Sequence, residues 1–260
     1  MRLARRGDAA QLPVVAAGNL GSAANTVTSP GIGYNILSVA NWTSRGSISG
    51  SSGRGPTVGG RSKPDIAAPG SGILSTAYNW ETAADFVTLS GTSMATPHIA
   101  GSAALLTEAG VNDPLAIRAL LINTTDNPGW NADSGWGYAN LDKARNALFW
   151  MTGSVTAKNT PGSFQLYRVR AGSPLRATTT WNRHVVNGST SVFHDLDIVA
   201  YGLASNAVAA SSANTWFGPV AYIIPSTTSG TVSSPKYRIF SWKYGVSGRN
   251  CCHSGIEYDH

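Results

Sequence analysis

Charged side chains are scarce in this sequence of 260 residues. Asp, Glu, Lys and Arg together make up 12% of it, about half of the usual share in a soluble protein. The net charge of +6 comes from scattered basic residues, and without a basic stripe it does not indicate nucleic-acid binding. Small neutral polar residues take the place of the missing charges, which suits an extracellular protein.

Long apolar runs and cysteines are also few. No stretch approaches the ~20 apolar residues of a membrane span, and the opening MRLARRGDAAQL has no apolar segment of the kind found in signal peptides. If the protein is exported, the sequence predicts that its signal lies elsewhere. Cys251 and Cys252 are adjacent and have no other cysteine to pair with. Two ligands are too few for a structural zinc site, so we interpret them as free thiols in a tail.

Residues 12–150 alternate apolar strands with helices. LPVVAAGN, NILSVAN, DIAAPG and FVTLSG read as strands, while SMATPHIAGSAALLTEAG, PLAIRALLINTT and NLDKARNALFW read as helices, the second of them amphipathic with Pro114 in its first turn. Such alternation is typical of an α/β fold with a mostly parallel sheet. The 42% of hydrophobic residues is enough for a sizeable core.

Helical periodicity disappears after residue 151. Short runs of β-branched and aromatic residues, such as SFQLYRVR and KYRIFSWKYG, alternate with turn signals up to about residue 248. This pattern predicts an antiparallel β-sandwich. We therefore divide the chain into residues 1–150, a sandwich over 151–248 and a tail over 249–260.

One short stretch carries a candidate nucleophile. In LSGTSMATPHIAG, Gly91 allows a tight turn after a strand, and Ser93 falls at the start of the following helix. Free backbone N–H groups at a helix N-terminus favour the oxyanion that forms in acyl transfer. The alternative is that Ser93 merely caps the helix. His98 cannot activate it, because five helical residues place the imidazole ~7.5 Å downstream and on another face.

These motifs resemble the subtilisin-like serine peptidases, or subtilases. The resemblance rests on GTSMATPHIAG, on VVAAGN before it and on KPDIAAPG between them, in this order and spacing. It implies that Ser93 is the nucleophile of an endopeptidase and that Asn19 donates from its side chain to the oxyanion beside the Ser93 N–H. It also implies that Ala16, Ala17 and Gly18 form one wall of the substrate pocket.

The same resemblance exposes a departure. The catalytic Asp and His of subtilases lie in DTG-like and HGT-like segments that precede the oxyanion Asn, and the eighteen residues before Asn19 contain neither. We therefore expect a partial subtilisin-like sheet and negligible peptidase activity from this chain alone. One alternative is a non-catalytic truncated subtilase that acts as a binding module. Another, a G-x-S-x-G hydrolase elbow, fails because Ala95 replaces the second glycine.

Residues 152–246 resemble the jelly-roll-like β-sandwich that follows the catalytic domain in some secreted subtilases. Asp195 and Asp197 alternate on one strand, where they could coordinate calcium or simply accept backbone hydrogen bonds at a turn. The chemistry itself would need no cofactor. Taken together, the resemblance implies a secreted monomer that acts on polypeptides, with neither nucleic acid nor membrane as a partner.

Overall fold

The computed structural model describes a large part of the chain. Within the backbone ranges given next, side chains are described for those that end by residue 147, for residue 150 and for residues 176–182. The backbone is described over residues 11–43, 46–78, 81, 86–147, 150–155, 164–170, 176–182, 184–186, 190–192, 195–202, 208–212, 220–223, 236–244 and 250–257. The chain divides into two compact units, residues 1–109 with 125–141 and residues 110–124 with 142–260.

A three-stranded parallel sheet forms the centre of the first unit. Its strands are β1 (Val14–Ala16), β2 (Leu37–Trp42) and β3 (Ile66–Pro69), and they lie side by side in chain order. Both faces of β2 are buried, as expected of a strand in a parallel sheet. The three strands confirm the predictions from VVAAGN, NILSVAN and DIAAPG.

Helix α1 (Thr92–Glu108) packs on this sheet. Its buried residues Thr92, Ala95, Ile99 and Leu106 recur at helical spacing and therefore share one face. That face contacts β1, β2 and β3. Outside this face, Leu105 is 53% exposed.

A separate hairpin precedes α1. Strands β4 (Ile73–Thr76) and β5 (Phe86–Leu89) pair antiparallel, with Ile73 opposite Leu89. The sequence indicated β5 but not β4, because ILST is too short and too mixed in polarity to give a strand signal. Three large apolar side chains of this hairpin are more than 45% exposed: Leu74, Phe86 and Leu89.

A buried ion pair lies beneath the sheet. Lys63 and Asp65 precede β3, and only 3% of each side chain is exposed. Lys63 Nζ lies 2.5 Å from Asp65 Oδ2 and donates to the carbonyl of Ile36 at 3.0 Å. The same carboxylate oxygen accepts from the Ser38 N–H at 2.7 Å, so one cluster of polar groups fixes the start of β3 to the start of β2.

The second unit contains helix α2 (Pro114–Asn123). Asp113 caps it by accepting from the N–H groups of Leu115 and Ala116, and Pro114 lies in the first turn as predicted. The expected amphipathic pattern is wrong, because every residue from Leu115 to Asn123 is buried. The strand Arg176–Trp181 of the same unit lies against this helix. The Thr180 hydroxyl donates to the Leu115 carbonyl, and the Thr178 hydroxyl donates to the Asn123 Oδ1.

Two antiparallel four-stranded sheets make up most of the rest of this unit. After α3 (Leu141–Asn146) the strands are β6 (Trp150–Val155), β7 (Phe164–Arg170), β8 (Arg176–Trp181), β9 (His184–Val186), β10 (Thr190–Val192), β11 (Asp195–Gly202), β12 (Val208–Ser212), β13 (Val220–Ile223), β14 (Lys236–Tyr244) and β15 (Asn250–Glu257). The orders in the two sheets are β12-β11-β14-β7 and β13-β8-β15-β6, and β9 pairs with β10 in a separate hairpin. The strands are antiparallel as predicted, while their packing into a sandwich and the boundary at residue 150 stay predictions.

Two sequence interpretations differ from these elements. The predicted tail contains β15, which pairs with both β6 and β8 and includes Cys251 and Cys252. NCCHSGIE has no apolar alternation, so its pairing depends on the neighbouring strands rather than on a local signal. The third helix ends at Asn146, where the sequence suggested that it continued to Trp150.

No helix among the described residues is long and apolar enough to cross a lipid bilayer.

Candidate active site

The structure places Ser93 in the first turn of α1, with its side chain exposed. The residue that caps this helix is Gly91, so the capping alternative for Ser93 is wrong. Gly91 accepts at its carbonyl from the N–H groups of Met94 and Ala95. Within the described residues the Ser93 N–H has no acceptor, which leaves it directed outward at the positive end of the helix.

The side chain of Asn19 lies beside this helix terminus in a fixed orientation. Its Oδ1 accepts from the Thr92 N–H at 2.9 Å and from the Thr92 hydroxyl at 3.0 Å. An N–H group can only donate, so the Asn19 atom that faces it must be the oxygen. The amide Nδ2 therefore points away from Thr92, and no acceptor for it lies within the described residues.

Thr92 is a site residue that the sequence reading did not single out. Besides donating to Asn19, its hydroxyl oxygen accepts from the Gly18 N–H at 3.2 Å. One hydroxyl thus joins the residue before the candidate nucleophile to the end of β1. The available signal was a short hydroxylated residue directly before Ser93, but a sequence does not reveal which strand end such a hydroxyl reaches.

The predicted pocket wall runs directly from β1 towards Asn19. Ala17 is fully buried, and the segment is held from both sides, since Thr28 N donates to the Ala17 carbonyl and Gly53 N donates to the Gly18 carbonyl. Gly18 has φ +107°, and a Cβ there would lie 2.3 Å from the Thr28 hydroxyl. Only glycine fits this turn. The segment of Ala16, Ala17 and Gly18 is therefore held in place up to Asn19, and its role as a wall of the substrate pocket stays a prediction.

The turn before Ser93 is held by a contact with Gly70, at the end of β3, which itself lies against Asn41 of β2. The Gly91 N–H donates to the Gly70 carbonyl at 2.8 Å. A Cβ on Gly70 would lie 2.6 Å from both the Asn41 Oδ1 and the Gly91 carbonyl. The Asn41 Oδ1 also accepts from the Ser71 hydroxyl at 3.2 Å. The close approach of β2, the end of β3 and the helix start thus depends on a glycine at position 70.

His98 is confirmed to lie apart from the nucleophile. Its Nδ1 bonds to the Met94 carbonyl of the same helix at 2.9 Å, and because a carbonyl only accepts, this nitrogen carries the proton. The ring is exposed. No hydrogen bond joins Ser93 to a histidine or a carboxylate within the part of the chain that the structure describes.

The metal predictions concern residues of the second unit. Asp195 and Asp197 are the first and third residues of β11, opposite Tyr244 and Trp242 of β14, and their side chains lie outside the described ones. Among the side chains that are described, no group of three or more His, Cys, Asp or Glu residues could hold a metal ion.

Comparison with known proteins identifies the family. The model described as "Subtilase family" matches residues 1–137, more than half of the chain. The chain belongs to the subtilase family. Its first unit accordingly has the subtilisin-like α/β fold, a parallel sheet with packed helices, and the family consists of serine proteases.

Three curated subtilase relatives illustrate the match. Serine protease AprX of Bacillus subtilis (strain 168) is 38% identical over 130 residues, 43% of this chain and 29% of that protein. Thermitase of Thermoactinomyces vulgaris is 42% identical over 113 residues, 44% of this chain and 36% of that protein. The "Extracellular protease" of Xanthomonas campestris pv. campestris is 38% identical over 142 residues, 52% and 23% respectively. The chain therefore spans less than two fifths of the length of these relatives.

Proposed function

We propose that this subtilase is a serine endopeptidase in which Ser93 is the nucleophile and Asn19 completes the oxyanion hole. The observation that carries the proposal is the orientation of Asn19. Thr92 occupies its oxygen, so the amide Nδ2 is left to donate beside the unpaired Ser93 N–H. We propose that these two donors converge on the oxyanion of the tetrahedral intermediate of acyl transfer, which such donors stabilise.

The proposed reaction follows from these positions. The Ser93 Oγ attacks the carbonyl carbon of a peptide, and the carbonyl π electrons move to the oxygen that Asn19 and the Ser93 N–H stabilise. The hydroxyl proton passes to a general base and from there to the leaving amine, after which water hydrolyses the acyl-enzyme. In subtilisin itself, loss of one oxyanion donor lowers turnover by about 10²–10³.

The general base is the missing partner in this proposal. Because the described residues place no histidine or carboxylate on Ser93, and no DTG-like or HGT-like segment precedes Asn19, we propose that the base and its Asp lie outside the described residues. Without a base in place, acylation of Ser93 would be slow. A non-catalytic binding module is the second candidate, favoured by the exposed apolar side chains of Phe86, Leu89 and Leu105 around the helix that holds Ser93.

Labelling with a fluorophosphonate tests the nucleophile. We expect slow labelling of the chain that disappears in Ser93→Ala and persists in Ser102→Ala, a serine of the same helix that bonds to the His98 carbonyl. Labelling that survives Ser93→Ala would overturn the assignment of the nucleophile. Labelling as fast as in a complete subtilase would instead overturn the proposal that the base is missing.

The remaining parts of the proposal concern secretion, the substrate, the second unit and calcium. The name of the Xanthomonas relative supports secretion, and the protease family supports polypeptides as substrates for a monomeric enzyme. We propose that the two antiparallel sheets of the second unit form a jelly-roll-like sandwich, and that calcium bound near Asp195 and Asp197 would be structural rather than catalytic. Peptide binding without turnover by Ser93→Ala would fit both candidate functions, whereas turnover lost in Ser93→Ala would exclude the binding module.

A further inference from the structure

A buried arginine lies in the first unit on the loop between β2 and β3. The backbone of Arg54 is held on both sides, since its N–H donates to the Thr26 hydroxyl at 2.9 Å and its carbonyl accepts from the Thr26 N–H at 2.9 Å. The next residue, Gly55, donates to the Ala132 carbonyl at 2.8 Å. The side chain is 9% exposed, so its base is fixed and its head group lies within the protein.

The guanidinium group of Arg54 has more donors than acceptors. It carries five N–H bonds, and among the described residues one hydrogen bond is formed, from Nη2 to the Ser49 carbonyl at 3.3 Å. Nη1 lies 2.9 Å from Asp133 Oδ1, which makes an ion pair, but the angles do not make a hydrogen bond. Nε and Nη1 are both buried and have no hydrogen-bond partner there. A buried guanidinium with unused donors is unusual, because such groups are normally saturated by acceptors.

The carboxylate of Asp133, which pairs with Arg54, has few contacts that fix its position. The side chain of Asp133 is 62% exposed, and its backbone N–H is fixed by the Asn131 Oδ1 at 2.9 Å. The turn therefore keeps the backbone in place while the carboxylate is free to move into water. An exposed ion-pair partner of this kind contributes little and is easily replaced.

A cavity of about 360 Å³ lies directly in front of this pair. Its lining is mostly polar and includes one cation, one carboxylate and several neutral hydrogen-bonding groups: Arg54, Asp133, Asn127, Asn131, Ser134 and Tyr138. A single positive charge next to a resident carboxylate matches a monoanion, whereas a phosphate dianion would meet repulsion from Asp133. The amides and hydroxyls can bond to polar atoms next to the anionic group.

We propose that this cavity is a binding site for a small monocarboxylate, whose carboxylate replaces Asp133 on the Arg54 guanidinium. The planar guanidinium fork fits a carboxylate with two parallel hydrogen bonds. Asp133 acts as a resident competitor that keeps the arginine neutralised when the site is empty. This site shares no residue with the Ser93 and Asn19 arrangement, so the test of this proposal does not depend on the peptidase proposal.

Titration with N-acetylglycine tests the site, with N-acetylglycinamide as a matched neutral ligand. Binding is followed by isothermal calorimetry on the whole chain at constant ionic strength set with chloride. We expect saturable binding of N-acetylglycine alone. Asp133→Asn should tighten it roughly two- to fivefold by removing the competitor, and Arg54→Lys should weaken it about tenfold or more because a lysine has no planar fork.

Two results would overturn the proposal. Equal binding of the acid and the amide would mean that the carboxylate is not recognised, and unchanged or weaker binding in Asp133→Asn would mean that Asp133 does not compete for Arg54. Because Asp133 is exposed, its variant should fold even if Arg54→Lys does not. Labelling of Ser93 by a fluorophosphonate, measured on the same variants, should stay as in the unmodified chain.

Discussion

Removal of the lysine from the buried Lys63–Asp65 pair should destabilise the first unit strongly. In Lys63→Met the Asp65 carboxylate stays buried, still accepting from the Ser38 N–H at 2.7 Å, but loses the ammonium group 2.5 Å from its oxygen. The Ile36 carbonyl loses its donor as well. Methionine fills about the same volume, so the change removes the charge with little loss of packing.

The size of the effect follows from the burial of both partners. Only 3% of each side chain is exposed, so water cannot replace the missing charge. Breaking a buried pair in this way costs about 3–5 kcal/mol. In Lys63→Met/Asp65→Asn the uncompensated charge is gone, and we expect at least about 2 kcal/mol to be recovered relative to the single variant.

Native-state hydrogen exchange measures this within the first unit, without requiring the whole chain to unfold in two states. Exchange of the Leu37, Val39 and Ile66 amides should accelerate by roughly two to four orders of magnitude in Lys63→Met. Lys143→Met, which removes an exposed lysine, serves as the control. Acceleration below tenfold in Lys63→Met, or no recovery in the double variant, would refute the reasoning.

Two further predictions concern the layers around the nucleophile. Gly70→Ala should cost about 1–3 kcal/mol in unfolding free energy, because the added Cβ meets Asn41 and the Gly91 carbonyl at 2.6 Å; an unchanged urea midpoint would contradict the close approach. Thr92→Val keeps the backbone N–H that Asn19 accepts from but removes the hydroxyl that joins Asn19 to Gly18; it should slow fluorophosphonate labelling of the nucleophile about tenfold by loosening the position of Asn19, and Thr92→Ser should largely restore it. If the serine variant labels as slowly as the valine variant, packing of the methyl group matters more than the hydroxyl.

The sequence was informative where a signal is local. NILSVAN, with β-branched and apolar residues, predicted a strand, and β2 occupies Leu37–Trp42. Gly91, the first residue of GTSMA, predicted the turn into α1, which begins at Thr92. Pro114 predicted the first turn of α2. Each of these depends on a neighbouring residue, so a single sequence carries the signal.

Features that depend on distant partners were not predictable. The burial of Leu115 to Asn123 in α2, Arg118 included, involves contacts with the later strands β8 and β15, and threonines of β8 bond to the helix. The pairing of β15 likewise needs β8 and β6. The orientation of Asn19 is set by Thr92, and residue types alone indicated that an asparagine could donate but not which way its amide would face.

The hydrogen bond between Asn19 and Thr92 joins residues 73 positions apart. Contacts of such long range form late, after the intervening chain has closed its loop. A partly folded chain with β1 or α1 undocked would hold both residues yet have no oriented amide beside Ser93. Competence to react with an acyl-like probe is therefore a measure of how completely the first unit has folded, and recovery of labelling during refolding should lag behind the recovery of helical circular dichroism.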